Sequence, residues 1–221
     1  MVSAVSELEQ LTQAAHLATD GTAAGARAAI DTLSWLASAI HDDRTAGRFI
    51  AWGRSSVIDE NTGAGIIPRA LFEELHVQAD IAADWPIGNA GVLHCYGYLL
   101  SLEPTPYGLK RERWTEGVLA HACHLPPDAF HPWREGPTLL ARATAVASAL
   151  LSYPAAGATQ VIDARETRLA LGAVRGSTAL AYAVAPSAGA TPLLVTMFPV
   201  ADAIVPLTEF RTDPRLRWNA A

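Results

Sequence analysis

The sequence predicts an α+β protein, with N-terminal helices packed on a C-terminal antiparallel β-sheet in one domain spanning residues 1–221. Three observations predict it. Up to residue 153, apolar residues recur at helical spacing between loops rich in Gly, Pro, Asp and Asn. After Pro154 the texture turns to short strand-like runs. Those runs are joined by short loops, and consecutive strands joined in this way must be antiparallel. Helices first and strands after is the order of an α+β layer architecture.

The elements follow in order. "SELEQ" offers Ser6 as a cap with Glu9 three residues on, a capping-box pattern, and Leu8, Leu11, Ala15 and Ala18 continue at helical spacing. "DGT" at 20–22 ends that helix, and a second is expected from Ala23 to Ile40. "AGRFIAWGRSSVI" reads as a third helix or as a helix running into a strand, and "DENTGAGIIP" (59–68) as a loop. Pro68 suits the first turn of a helix reaching Asp80. "DWPIGNAG" (84–91) is a further loop. For "VLHCYGYLLSL", residues 92–102, aromatics and Val favour a strand while length and leucines permit a helix; the strand is the expectation. "EPTPYG" is a turn, "LKRERWTEGVLAHACHL" one helix despite Gly117, "PPDAFHPWREGP" a loop and "TLLARATAVASALLSY" an apolar helix. Residues 154–221 are expected to form a β-meander from "TQVIDARETRLALGAV", "TALAYAVA" and "PLLVTMFPV", with the tail "PLTEFRTDPRLRW" as a last edge strand.

Composition limits the function. Hydrophobic residues make up 50% and charged residues 17% of the chain, which suits a folded globule rather than a disordered chain. A net charge of −6 argues against a general nucleic-acid binder, which needs a basic footprint. No run approaches the length of a membrane span, and no basic-then-apolar leader opens the chain, so a cytoplasmic protein without a membrane partner is expected. Two cysteines, Cys95 and Cys123, do not make a disulfide framework.

The chemistry concentrates in "GNAGVLHCYGYLLSLEPTPYGLKRERW", Gly88 to Trp114. It holds the only lysine among 16 basic residues, four aromatics and a basic cluster. On a strand, His94, Tyr96 and Tyr98 would share one face and supply proton-transfer groups. On a helix, His94 and Tyr98 would share a face and Tyr96 would turn away. Lys110, Arg111 and Arg113 near a helix start oppose the helix dipole, a conflict that a bound anion would remove. Lys110, as a lone amine, is a candidate base, nucleophile or point charge. Trp85, Asn89, Thr105, Tyr107 and Trp114 are expected to line and orient a substrate beside these cations. A solvated basic turn and a half-buried strand with ordinary tyrosines are the plainer alternatives.

His121 and His124 have an i, i+3 spacing, but no carboxylate or cysteine pair completes a ligand set, so no metal is expected. Signatures of nucleotide, nicotinamide and serine-hydrolase sites are missing, and no cofactor is expected.

"RFIAWGR", "GNAGVLHCYGYLLS", "TPYGLKRERW" and the closing "RLRWNA", about a quarter of the chain, resemble a group of small actinobacterial proteins that often carry the label amino acid deaminase. The resemblance implies a small, amino-acid-like substrate and a role in specialised metabolism. The expectation is a cofactor-independent lyase or cyclase. It would catalyse elimination, deamination or internal cyclisation of a small anionic, amino-acid-derived metabolite, free or carrier-bound. His94, Tyr96, Tyr98 and Lys110 would be catalytic, and Arg111 and Arg113 would bind the anion. A non-catalytic protein that holds a metabolite or an acidic carrier protein is the alternative. A homodimer could form through the open edge of the terminal strand.

Overall fold

Ser6 caps the first helix, α1 (Glu7–Ala18), as the sequence predicts: its hydroxyl accepts from Glu9 N while the Glu9 carboxylate accepts from Ser6 N. This is a computed structural model, and it describes residues 6–152, 159–164, 167–174, 177–184 and 190–201, with the isolated positions 208 and 212. Thr22 caps α2 (Ala23–Thr32) by accepting from Gly25 N. The expected single helix from 23 to 40 is two. Leu33 takes an extended conformation, ends α2, and lets α3 (Leu36–Thr45) set off in a new direction while Leu33, Leu36 and Ile40 all stay buried.

The next stretch resolves as a 3-10 turn, Arg48–Ala51, followed by a short strand β1 (Arg54–Ser56). β1 pairs antiparallel with β2 (Ile87–Asn89), which lies inside the segment read as a loop. Between them, Pro68 precedes α4 (Arg69–Ala79), which ends at Asp80 in the left-handed region.

The strand expected at 92–102 is not there. Residues 90–95 form a helix, α5 (Ala90–Cys95), and residues 97–100 a 3-10 turn. Two causes are visible. The Asn89 side chain accepts from Val92 N and starts a helix. Every residue from 90 to 101 is also buried, so there is no wet face to give an alternating pattern. A two-residue hairpin arm, β3 (Pro104–Thr105), then pairs with β4 (Gly108–Leu109).

The single helix expected after residue 109 is two short ones, α6 (Glu112–Thr115) and α7 (Val118–Ala122). Gly117 separates them at φ 74°, where a helix cannot continue. The long apolar helix α8 (Leu139–Ser152) is as expected.

The sheet is a four-stranded antiparallel meander, β5 (Thr159–Ala164), β6 (Thr167–Val174), β7 (Ser177–Val184) and β8 (Leu193–Val200), in that spatial order. The first predicted strand divides into the hairpin β5–β6. The tail expected as an edge strand lies almost wholly outside the described residues. α8 lies against all four strands, α7 against β6 to β8 and α5 against β8, so helices cover one face of the sheet. Ala179, Ala181 and Ala183 of β7 belong to the same buried cluster as Ala143 and Ala147 of α8; small side chains allow helix and sheet to approach closely. A parallel bridge from Trp52 to Leu194 and a hydrogen bond from Gly53 N to Leu194 O (2.7 Å) tie the β1 region to β8. The architecture is α+β. No described helix is long and apolar enough to cross a membrane.

Candidate functional site

β1, α5, α6 and β8 meet at His94. Its ring is buried, with Nε2 3.1 Å from Ser55 Oγ on β1, and with Nδ1 3.2 Å from Thr196 Oγ1 on β8 and 3.3 Å from Arg113 Nη1 on α6. A guanidinium only donates, so Nδ1 is the acceptor, and the neutral ring carries its proton on Nε2, facing Ser55. Burial first, then the charges of Arg113 and Lys110, hold the imidazole well below its usual pKa. A Ser–His nucleophile pair would need the opposite tautomer.

Tyr98 follows one turn on. Its ring stands edge-on to His94 with centroids 4.7 Å apart, and its hydroxyl donates to Ser56 O at 3.1 Å. Burial pushes its pKa up to about 12. Lys110 Nζ and the Arg113 guanidinium lie 5.6 and 5.8 Å from the Tyr98 ring centroid, a cation–π arrangement.

Lys110 is anchored by Asp59, with Nζ 2.6 Å from Oδ2, and its side chain stays 21% exposed. The Asp59 carboxylate is buried and also accepts from the backbone N–H groups of Asn61 and Thr62. Burial alone would raise the Asp59 pKa, but Lys110 and these donors hold it below the ordinary value. Burial and Arg113 in turn lower the Lys110 pKa, while Asp59 opposes the change.

Arg113 has no carboxylate within ion-pair distance among the described residues. Its Nη1 reaches only neutral acceptors: His94 Nδ1, Thr196 Oγ1 (3.4 Å) and Met197 O (3.4 Å).

Of the expected site residues, His94, Tyr98, Lys110 and Arg113 come together. Tyr96 points elsewhere: its hydroxyl donates to Asp43 Oδ2, and Asp43 Oδ1 accepts from Arg48 (2.8 Å) and Thr138 (2.6 Å). That buried network ties α3 to α8, and burial with the Asp43 charge holds the Tyr96 phenol firmly protonated. Asn89 is also committed to structure. It caps α5, donates to Phe49 O and Trp52 O, and its backbone N–H donates to His76 Nε2. Trp114 packs on Phe130 and donates from Nε1 to His94 O at 2.8 Å, fixing the backbone that carries the imidazole. Trp85 packs edge-on to Phe72. Thr105 closes its own hairpin by donating to Gly108 O, and Tyr107 is 84% exposed at the turn. Arg111 precedes α6, where its carbonyl accepts from Trp114 N. α6 spans a single turn, so the anion argument from the start of a long helix does not apply to these cations. His121 and His124 do not share a helix face, since α7 ends at Ala122 and His124 lies at φ 59°.

Ser55, Asp59 and Thr196 complete the cluster and had no signal in the sequence. Chain and cluster together define an α+β protein with a buried polar centre at the seam of its helical layer and its sheet. Counted over Lys110, Arg113 and Asp59, with His94 and Tyr98 neutral, that centre carries one positive charge. No protein-family model, curated protein or solved structure matches this chain.

Proposed function

We propose that the protein is a cofactor-independent acid–base enzyme acting on a small anionic, amino-acid-derived metabolite by elimination, deamination or internal cyclisation. One observation carries this reading: a guanidinium without a carboxylate partner among the described residues lies against a neutral imidazole. Elimination of this kind needs an unprotonated base to take a proton, and a cation can hold the substrate anion in place. His94 would be the base and Arg113 the anion anchor. Lys110, partly exposed beside them, would bring a second positive charge. Tyr98 would support all three from below, its phenol held protonated. Tyr96 has no part in this set.

A non-catalytic holder of the same metabolite is the second reading, favoured by the internal partners already present on Lys110 and on both ring nitrogens of His94. The two readings separate on stoichiometry. A small-molecule extract of the producing organism, incubated with catalytic amounts of protein beside a heat-inactivated control, is followed by mass spectrometry. An enzyme consumes one species in large molar excess and yields a product differing by ammonia or water. Depletion limited to one equivalent supports the holder and rejects the enzyme.

A further inference from the structure

We propose that Arg113 recognises a substrate monocarboxylate, and that docking of this carboxylate uncovers Nδ1 of His94 as the base. The proposal deepens the enzyme reading above and rests on it.

The hydrogen bonds of Arg113 are the starting point. One nitrogen, Nη1, is shared among three neutral acceptors at 3.3 to 3.4 Å, the long end of the range for N–H donors. A carboxylate offers the same fork two parallel charge-assisted bonds, each roughly twice as strong as a neutral one. Exchange of the present partners for a carboxylate is therefore downhill for the guanidinium.

The charge sum sets the ligand's valence. Lys110 is matched by Asp59 at 2.6 Å, and Glu60, whose charge also acts on Lys110, is exposed and screened by solvent, so among the described residues one positive charge, that of Arg113, remains for the ligand. A single carboxylate balances it, whereas a dianion would leave one negative charge in a partly buried site.

The tautomer supplies the chemical consequence. Because Nε2–H points to Ser55 Oγ, the only lone pair of His94 is on Nδ1, the atom that Arg113 covers. An Arg113 drawn onto a carboxylate stops donating to Nδ1, and its charge no longer opposes proton uptake there. Thr196 Oγ1 at 3.2 Å remains, but a hydroxyl rotates and can accept as readily as donate. Substrate would thus switch on its own base, and the empty site would keep that base blocked.

The test is 15N NMR of the full chain labelled at histidine and arginine, at constant pH, with acetate and then sulfate as probes. In the free protein, His94 is expected to show a protonated Nε2 and an unprotonated, hydrogen-bonded Nδ1. Saturating acetate should shift the Arg113 guanidinium signals and move Nδ1 further from the protonated range. Arg113→Lys should weaken acetate binding about tenfold or more and abolish the Nδ1 response. A proton on Nδ1 in the free protein overturns the proposal. So does an unchanged Nδ1 response in Arg113→Lys. Saturable Arg113 shifts with a still Nδ1 overturn the uncovering and leave the anion site standing. Tighter binding of sulfate than acetate overturns the monocarboxylate assignment. No saturable change with either probe removes both this proposal and the anion-binding reading beneath it.

Discussion

Lys110 and Asp59 form the one ion pair in the cluster, and the energetics of removing it are asymmetric. Lys110→Met leaves a buried carboxylate without its cation, a loss of about 3 kcal/mol. The melting temperature should therefore fall. Asp59→Asn in the same chain should restore most of the loss, because the amide still accepts from Asn61 and Thr62. Thermal unfolding of the single and double variants checks this, and an unchanged midpoint for Lys110→Met would show that the pair is dispensable. Tyr96 gives the opposite contrast. Tyr96→Phe strips a donor from buried Asp43, should cost about 2 kcal/mol, and should leave turnover per folded molecule unchanged. Any selective loss of turnover would return Tyr96 to the chemistry.

At the scale of the element, α5 depends on Asn89. Asn89→Ala removes the cap and leaves the Trp52 carbonyl without its side-chain donor, while Phe49 O keeps the Trp52 N–H, at a cost of about 2 kcal/mol by denaturant titration. A loss well below that would mean water replaces the amide. The elements differ in how plainly the sequence announces them. α1 was legible because its capping box is local, and α8 because its apolar period is long. Residues 92–102 misled because Tyr and Val are favoured in strands, and burial on all sides erased the pattern that would have corrected them. The break at Gly117 was visible as a glycine, but its positive φ and the Pro127 atoms that occupy the space of a Cβ there are tertiary facts. The site divides in the same way. His94, Tyr98, Lys110 and Arg113 stood out as unusual chemistry within a short stretch. Ser55 and Thr196 reach His94 from 39 and 102 residues away, and nothing local distinguishes them from other hydroxyls.

Two buried histidines set the acid limit of the whole molecule. His76 accepts from Asn89 N through Nε2 and faces Phe72 O through Nδ1, and burial lowers its pKa despite that carbonyl. His94 is lowered further by burial and by two cations. Both rings take up protons near pH 6.5 in the unfolded chain and only at lower pH in the folded one. The stability present above pH 6.5 is therefore lost as pH falls toward the folded-state values, since the unfolded state then binds more protons. The melting temperature should decline from about pH 6.5 to about pH 5, before most carboxylates titrate. A flat profile over that window would show that the folded protein accommodates both imidazolium ions. The unbroken burial of residues 90–101 has a separate consequence for saturation mutagenesis. Most replacements there will reduce the yield of folded protein whatever the chemistry, so a growth-based screen would mark the whole stretch as essential. Arg113, closer to solvent and in no ion pair among the described residues, is where fitness and folding can be told apart, and a screen normalised to protein abundance should leave that position standing out.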